Sequence, residues 1–407
     1  MRYFRYTLDD LKRSSDRKLF TYITFFAGGG GSSCGYKLAG GDCLFMNEFQ
    51  QVAVNDYLNN FPNTTHLCKD INSVSPEQIM EMTGLQPREL DILDGSPPCP
   101  PFSMSGTKQK GWGKEKMAYG KKQKEIERLT FKQIEIAKVL QPKVLIIENV
   151  KGFTMKYATD LFEEVLESVR QAGYGVTYKV LKGSNFGVPQ KRERVFIVGV
   201  RNDILKNHNN PFITFSPEVL SGFVFPEPEK KYATLQDAIG DLKDDKENIE
   251  ESEVLCESMK KSAKYKWLRR LEKNPDRVVS VGDDVVKPFY QKWIAHRERL
   301  SKNIGERKVE EKFSFFQSRR VPWNQSSHTL SEQGLQTSLA VHLHPSEDRG
   351  YTVKESKRIM TLPEDYQFTG KLNENLARIG LMVAPLQMKY LSENIYNNIL
   401  KPYKEQQ

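Results

Sequence analysis

Cysteine and histidine are scarce in this chain, with five cysteines and six histidines among 407 residues. The cysteine count is odd and the cysteines are widely spaced, so we expect no disulfide framework. No pair of these residues has the spacing of a zinc finger, and we expect no metal site. Most of the cysteines are therefore expected to be small buried apolar residues.

Long apolar runs are also missing. No run approaches the ~18 residues that a membrane-spanning helix needs, and the basic residues 1–5 are not followed by an apolar signal segment. Mean hydropathy is -0.59 and 38% of the residues are hydrophobic, values typical of a globular protein in water. We therefore expect a soluble protein that is not exported, with about two domains.

Positive charge is present, and it is concentrated in two stretches. The net charge is +9, and residues 259–323 alone contain 18 lysines and arginines against 8 acidic residues. Residues 108–128 contain 8 against 3, whereas residues 237–257 are acidic. A surface that tracks phosphates requires such clustering. From charge alone, a pair of solvated lysine-rich faces is an equal alternative.

Short β-type runs alternate with amphipathic helical segments between residues 19 and 202. The pattern predicts strands at 20–26, 43–46, 91–94, 143–148, 176–181 and 194–200. It predicts helices at 35–39, 50–60, 130–140 and 157–172. This alternation indicates an α/β fold with a parallel sheet covered by helices on both faces.

The rest of the chain differs in composition and in the pattern of its apolar residues. Residues 1–18 are polar, and we expect a loosely attached lead. Residues 203–330 are more charged, contain a proline-rich segment and show no regular alternation of strands and helices. This pattern predicts a second, smaller domain or a large insertion. Residues 331–407 are expected to return to the first domain, with helices at about 353–362 and 386–400.

A glycine-rich turn follows the first predicted strand and opens a helix. Gly28, Gly30 and Gly31 let the backbone turn sharply and approach a ligand closely. Glu48, just after the next apolar run, is placed to accept hydrogen bonds from ribose hydroxyls. The spacing fails the dinucleotide pattern G-x-G-x-x-G, which favours a nucleoside ligand without a pyrophosphate. Asp70 follows the next segment and is either an adenine contact or an ordinary surface aspartate.

One cysteine stands in a proline-stiffened loop. Cys99 follows a β-type run and is flanked by prolines on both sides. Prolines remove backbone freedom and would hold the thiol in one place. A thiolate is a strong nucleophile among common side chains. A structural loop cysteine is the alternative for this segment taken alone.

Two further segments bring polar side chains to the same crevice. Glu148 ends the apolar run 143–148, and ligands of open α/β sheets bind at the carboxyl ends of strands. Arg192 and Arg194 are two residues apart before another strand, where arginine suits a phosphate or a base carbonyl. The basic stretch 106–122, directly after the cysteine loop, is placed as a mobile lid would be.

Taken together, these segments resemble the motif set of the cytosine-5 methyltransferases, in order and in approximate spacing. The resemblance covers about residues 20–200 and 325–400. Two positions depart from the family pattern: Pro100 replaces the usual glutamine, and Leu381 replaces an asparagine on the cofactor side. The matching segments are Phe26-Ala27-Gly28-x-Gly30-Gly31, Asn47-Glu48, Asp70-Ile71, Pro98-Cys99 with Phe102-Ser103, Glu148-Asn149-Val150, Gln190-x-Arg192-x-Arg194, Thr352-Val353-Lys354-Glu355 with Arg358 and Leu362-Pro363, and Arg378-Ile379-Gly380-Leu381-Met382-Val383-Ala384-Pro385.

The resemblance implies a Rossmann-like sheet dependent on S-adenosylmethionine, with S-adenosylhomocysteine as product, and a smaller irregular target-recognition domain at 203–330. Cys99 would attack C6 of a flipped-out cytosine, Glu148 would bind N3 and the amino group, and Arg192 and Arg194 would hold the base carbonyl or a phosphate. Implied cofactor contacts are Phe26, Gly28, Gly30, Gly31, Glu48, Asp70, Ile71, Pro97 and Leu129.

The resemblance also sets the expected partners and leaves three alternatives open. We expect a monomer in the bacterial cytoplasm that acts on duplex DNA, without a membrane or metal partner. One alternative is an amino-methyltransferase, because Ser96-Pro97-Pro98 is similar to part of its loop, although Cys99 stands where that loop has an aromatic residue. The others are a tRNA cytosine-5 methyltransferase and a non-catalytic DNA-binding relative.

Overall fold

Seven strands form one sheet in the computed structural model. The structure describes residues 3–98, 128–206, 216–229, 231–261, 319–331, 342–347 and 349–407, with two short strands at Met117–Ala118 and Lys121–Lys122. The order in the sheet is β3-β2-β1-β4-β5-β7-β6. The strands are β1 Phe20–Phe25, β2 Gly41–Glu48, β3 His66–Cys68, β4 Ile92–Gly95, β5 Val144–Val150, β6 Tyr174–Lys182 and β7 Glu193–Arg201.

The helices lie mostly between the strands and after them. In the described part of the chain they are α1 Leu8–Ser15, α2 Gly31–Leu38, α3 Gln51–Asn60, α4 Pro76–Thr83, α5 Leu129–Leu140, α6 Thr159–Gln171, α7 Asn202–Lys206, α8 Pro217–Val224, α9 Leu235–Ile239, α10 Lys246–Lys261, α11 Val353–Met360, α12 Leu372–Leu381, α13 Pro385–Ile395 and α14 Lys401–Lys404.

The sheet is mixed, so the prediction of a parallel sheet is wrong for one strand. Strands β1 to β5 pair in parallel, but β7 is antiparallel to both of its neighbours, β5 and β6. The connection from β6 to β7 contains only the single-turn helix Gly183–Phe186. A parallel pairing needs a crossover of a dozen or more residues, so the chain turns back instead.

Alternation along the strands divides the core between two faces. Ile23 and Phe25 of β1 point to the face covered by α4, α5 and α6. Tyr22, one residue before Ile23, points to the opposite face, which is covered by α2, α8 and α13. Coverage of both faces agrees with the predicted architecture, and it leaves the strand ends as the place where polar side chains can gather.

The N-terminal residues are anchored, and the prediction of a loosely attached lead is wrong. Tyr3 and Tyr6 are buried, and their hydroxyls donate to the carbonyls of Arg358 and Thr361. Leu11 of α1 is also buried, with 1% exposure. A few apolar side chains among polar neighbours therefore dock this lead on the C-terminal segment.

The C-terminal helix α13 packs directly on α2, the helix that follows the glycine turn. A Cβ added at Gly35 would overlap the carbonyl oxygen of Pro385 and the Cβ of Met388. The backbones of the two helices therefore approach closely because one side chain is absent. This contact places α13 against the helix that follows β1.

Replacing Gly35 with alanine should destabilise the protein. Because the new methyl group meets backbone on α13, we expect a loss of about 1–3 kcal/mol in the free energy of unfolding, measured by urea denaturation. Gly222 of α8 is the matched control, since within the described part of the chain a Cβ there meets nothing within 4 Å. The Gly222→Ala variant should gain about 0.5–1 kcal/mol. Equal stabilities for the two variants would contradict this account of the helix contact.

Candidate active site

Polar side chains meet at one edge of the sheet. This edge holds the carboxyl ends of β1, β2, β4 and β5, which run in parallel. Because β7 is antiparallel, its amino end lies there too, with Arg194 paired to Val150 in the ladder. Ligands of open α/β sheets bind at this edge, so it is the place to look for chemistry.

Glu148 and Arg194 form an ion pair across β5 and β7. Glu148 is opposite Phe196 in the ladder, so Arg194, two residues earlier, lies on the same face. Arg194 Nε is 3.0 Å from Glu148 Oε1, and the side chains are 15% and 8% exposed. The contact lacks hydrogen-bond alignment, and among the described residues Oε1 has no hydrogen-bond partner. The carboxylate therefore keeps capacity to accept from a ligand.

Arg192 has different contacts from Arg194. Its Nη1 donates to the carbonyl oxygens of Leu330 at 3.0 Å and Gly380 at 3.1 Å. The side chain is 1% exposed, and its burial lowers the pKa of the guanidinium. The structure thus separates the two predicted arginines: one faces Glu148, and the other holds backbone carbonyls.

The loop that leads to Cys99 is fixed at its base. Cys99 itself lies outside the described residues, which end at Pro98 on this side. Asn149, next to Glu148, donates from Nδ2 to the carbonyl of Pro97 at 3.3 Å. The amide of Ser96 donates to the carbonyl of Phe25 at 3.4 Å. The last described residues of the loop are therefore attached to the ends of β5 and β1.

Gln133 of α5 supports the end of β4, and the sequence analysis missed it. Its Nε2 donates to the carbonyl of Ile146 at 3.0 Å, and the side chain is fully buried. A Cβ at Gly95 would overlap the Gln133 amide group. A side chain at position 95 would thus displace the Gln133 amide group, and the sequence shows this close contact only as one more glycine before the prolines.

Asp94 is a second carboxyl group beneath this edge, and it was also missed. It is fully buried on β4, and Thr24 Oγ1 donates to its Oδ2 at 3.0 Å. Burial raises the pKa of Asp94 to about 7, and the negative charge of Glu148 contributes to this increase. The sequence shows only an aspartate within an apolar strand. The raised pKa could not be predicted, because it depends on neighbours that are distant along the chain.

The glycine turn is covered on one side and open on the other. Cβ atoms at Gly29 and Gly31 would overlap Met382 and the carbonyl of Val383, from the C-terminal segment. At Gly28, with φ of 53°, an added Cβ would meet no described residue within 4 Å. The open side is where a ligand can approach the backbone. Phe26 precedes this turn with a left-handed φ of 54°.

Glu48 is held beside the glycine turn by backbone amides. Its Oε2 accepts from Gly28 at 2.9 Å, and its Oε1 accepts from Phe49 and Gln50, each at 2.9 Å. These bonds fix the carboxylate at the end of β2. The ring of Phe49 is 44% exposed next to it. Phe49 is a further candidate that sequence analysis missed, since only its exposure distinguishes it from a core aromatic.

Three further predicted cofactor residues follow β3 or begin α5. Asp70 begins a short 3-10 helix, and its Oδ1 accepts from the amide of Asn72 at 3.0 Å. Ile71 is buried, and Leu129 begins α5 with 6% exposure. Asp70 is therefore engaged as the cap of this short helix.

This edge fits a nucleoside with an acidic tail. Gly30, the N-cap of α2, offers no side-chain hydrogen bond, so the first amides of α2 are left without a side-chain cap. Uncapped amides and the helix dipole favour a carboxylate. The fixed carboxylate of Glu48 suits a ribose diol, and the open face at Gly28 gives room for close approach.

The fold is that of a Rossmann-like methyltransferase, with a carboxylate and a guanidinium paired at the carboxyl edge of its sheet. The chain belongs to the C-5 cytosine-specific DNA methylase family, whose model matches residues 20–397. It is an enzyme that uses S-adenosylmethionine to methylate cytosine in DNA, as the sequence predicts. The match does not support the amino-methyltransferase alternative.

Individual relatives agree with this assignment. Type II methyltransferase M.SacI of Streptomyces achromogenes is 27% identical over 376 residues, which cover 88% of each chain. M.AquIA of Picosynechococcus is 32% identical over 230 residues, covering 54% of this chain and 88% of that one. A solved structure of a prophage-encoded E. coli protein, described as a DNA modification methyltransferase, has the same fold, with a TM-score of 0.60, 21% identity and coverage of 94% and 99%.

Two further observations concern the described residues alone. No helix among them is long and apolar enough to cross a bilayer. No group of three or more histidine, cysteine, aspartate or glutamate side chains in this part of the chain is arranged to hold a metal ion.

Asp94 should make stability depend on pH. Its folded-state pKa of about 7 lies above the ordinary value of 3.8, so protonated Asp94 favours the folded state. This contribution is present below about pH 4 and is lost as the pH rises to about 7, in total roughly 2–4 kcal/mol. The Asp94→Asn variant lacks it, so its stability relative to wild type should increase over that range.

Urea denaturation of both proteins at pH 4, 5.5, 7 and 8 tests this expectation. All other titratable groups are shared, so the difference between the two curves reports Asp94 together with its electrostatic coupling to Glu148. A constant difference from pH 4 to pH 8 would show that Asp94 titrates normally and is not a desolvated group.

Proposed function

We propose that this chain is a modification methyltransferase that methylates one cytosine within a specific sequence of duplex DNA, using Cys99 as nucleophile. The observation that carries the proposal is the Glu148–Arg194 ion pair at the carboxyl edge of the sheet, beside the anchored base of the Cys99 loop. Type II methyltransferases of bacteria among the relatives support the modification role.

Glu148 and Arg194 provide the polar pocket for the base. Cytosine offers an amino group and N3 on one edge and a carbonyl beside them. A carboxylate with spare acceptor capacity suits the amino group, and a protonated carboxyl would suit N3. Arg194, held in place by Glu148, is positioned to donate to the carbonyl. Together they stabilise the charge that develops on the ring when a nucleophile adds.

Cys99 supplies the nucleophile. Its thiolate forms a bond to C6, and the electron pair of the C5–C6 double bond makes C5 nucleophilic. S-adenosylmethionine, when bound, supplies an electrophilic methyl group for C5. Loss of the C5 proton to a base then restores the double bond as the bond between sulfur and C6 breaks, which frees Cys99. The Asn149–Pro97 hydrogen bond would hold the loop near Glu148 during these steps.

The cofactor lies along the glycine turn in this proposal. Glu48 would accept from the ribose hydroxyls, and the first amides of α2 would bind the carboxylate of the methionine part. Asp70 would accept from the adenine amino group, and the exposed ring of Phe49 would cover the adenine face. Further contacts are proposed for Phe26, Gly28, Gly30, Gly31, Ile71, Pro97 and Leu129.

The DNA must present an extruded base. Extrusion costs a few kcal/mol, and phosphate contacts from the basic stretches 108–128 and 259–323 would offset it. Most of both stretches lies outside the described residues. We propose that the recognition domain comprises about residues 203–330, and that the protein acts as a monomer on DNA in the bacterial cytoplasm.

Transfer of a labelled methyl group to duplex DNA, with tRNA as the competing substrate, tests the proposal. We expect 5-methylcytosine in duplex DNA at one sequence context, mapped by bisulfite sequencing.

Glu148→Gln should lower kcat at least about a hundredfold, because the variant cannot supply a carboxylate to the base. Cofactor binding should be unchanged, since Glu148 is not among the proposed cofactor contacts.

Glu193 is the matched control for Glu148. It lies next to Arg194 on the same rim, 39% exposed and paired with Lys151 at 3.0 Å. Because exposed ion pairs contribute little, Glu193→Gln should change kcat by less than about threefold. Methylation of tRNA alone would contradict the proposed substrate, and equal losses in the two variants would contradict the role given to Glu148.

A further inference from the structure

Residues 321–330, here called the return segment, join three parts of the described chain. On one side the segment is hydrogen-bonded to the region of α9. The amides of Leu235 and Gln236 donate to the carbonyls of Gln325 and Trp323, each at 2.9 Å. The hydroxyl of Ser326 donates to the carbonyl of Ala233 at 2.7 Å. The return segment thus belongs structurally with part of the proposed recognition domain.

On its other side the return segment pairs with the chain that leads into β7. The amide of Ser327 donates to the carbonyl of Pro189 at 2.9 Å, and the amide of Lys191 donates to the carbonyl of Ser327 at 2.8 Å. These bonds form an isolated parallel bridge between Ser327 and Gln190. The return segment is therefore attached a few residues before Arg194.

Two buried side chains complete the attachment by holding one residue, Leu330. Gln190 Oε1 accepts from the amide of Leu330 at 2.9 Å, and Arg192 Nη1 donates to its carbonyl at 3.0 Å. Gln190, Arg192 and Leu330 are all at most 1% exposed. The side chains of Gln190 and Arg192, two positions apart, thus bind both the backbone N–H and the backbone C=O of Leu330.

Burial of the Arg192 guanidinium costs free energy, and a contact within one segment of the chain would not explain that cost. A buried guanidinium loses its hydration, and removal of its partners would leave a charge uncompensated. Its Nη1 also donates to the carbonyl of Gly380, at the end of α12. The same nitrogen therefore ties the return segment to the C-terminal segment, next to the covering of the glycine turn.

We propose that Gln190 and Arg192 are positioning residues that clamp Leu330, so that the recognition domain is held in register with Arg194 and Glu148. The inference rests on the proposed function of the latter two residues. It gives Arg192 a role different from the DNA or base contact that the sequence predicts. A shift of the return segment would move the start of β7, and thereby the arginine beside the base.

The test uses full-length variants on the duplex that wild type methylates and on a duplex with one base pair of its site changed. Arg192→Met removes both carbonyl contacts, and Gln190→Ala removes the acceptor for the Leu330 amide. Each variant should lose about tenfold in discrimination between the duplexes, measured as the ratio of kcat/KM values, because buried backbone groups lose their partners. The double variant should lose less than the product of the two, since both act on Leu330.

The salt dependence of DNA binding distinguishes a clamp from a phosphate contact. Loss of a phosphate contact lowers the slope of log K against log salt by about 1. We expect the slope of Arg192→Met to equal that of wild type, and Arg192→Lys to recover discrimination, because a lysine nitrogen can reach backbone carbonyls. A slope lowered by about 1, or unchanged discrimination in the single variants, would overturn the proposal.

Arg201, at the other end of β7, provides the matched control. It is also buried, and its Nη1 donates to the carbonyls of Arg88 at 3.3 Å and Gln141 at 2.6 Å. Arg201→Met should lower stability without changing discrimination. Equal loss of discrimination in both arginine variants would show a general effect of destabilisation and would overturn the clamp. Retained binding of S-adenosylmethionine and retained adduct formation at Cys99 separate failure of the clamp from failure of the proposed function.

Discussion

The pairing of Glu148 with Arg194 depends on the direction of a single strand. Because β7 runs antiparallel to β5, its amino end reaches the edge at which β1, β2, β4 and β5 finish. A parallel strand would place Arg194 at the opposite edge, far from any ligand. The period of two then sets both side chains on one face. A short connection before β7 thus determines the composition of the pocket.

The C-terminal segment completes the other half of the site. Met382 and Val383 cover Gly29 and Gly31, and the Tyr366 hydroxyl donates to the carbonyl of Gly29. The turn is therefore packed at Gly29 and Gly31, whereas at Gly28 no described residue lies within 4 Å of an added Cβ. Residues distant in sequence shape the turn, and the same segment receives the contact from Arg192. The glycine turn, the C-terminal segment and the return segment are consequently parts of one packed unit.

The sequence predicted the elements that repeat a regular pattern. Glu148 follows a continuous apolar strand and Glu48 ends another, so their positions at the edge could be foreseen. The short strand β3 and the helix α4, with Ile79 as its only buried residue, give too weak a pattern. Strand direction leaves no mark in the alternation of apolar residues, which is why the position of β7 is predicted correctly but its direction is not. Asp94 and Gln133 acquire their roles from partners on neighbouring elements. Arg192 differs from Arg194 because its partners are the carbonyls of Leu330 and Gly380, whereas Arg194 pairs with Glu148.

The most direct test of the central claim is the identity of the covalently bound residue. Duplex DNA with 5-fluorocytosine at the methylated position should trap the enzyme in the presence of S-adenosylmethionine, because fluorine at C5 cannot leave as a proton does. Mass spectrometry of the digested adduct should then find the nucleotide on the sulfur of Cys99. An adduct on another residue, or full methylation by the Cys99→Ser variant, would contradict the account.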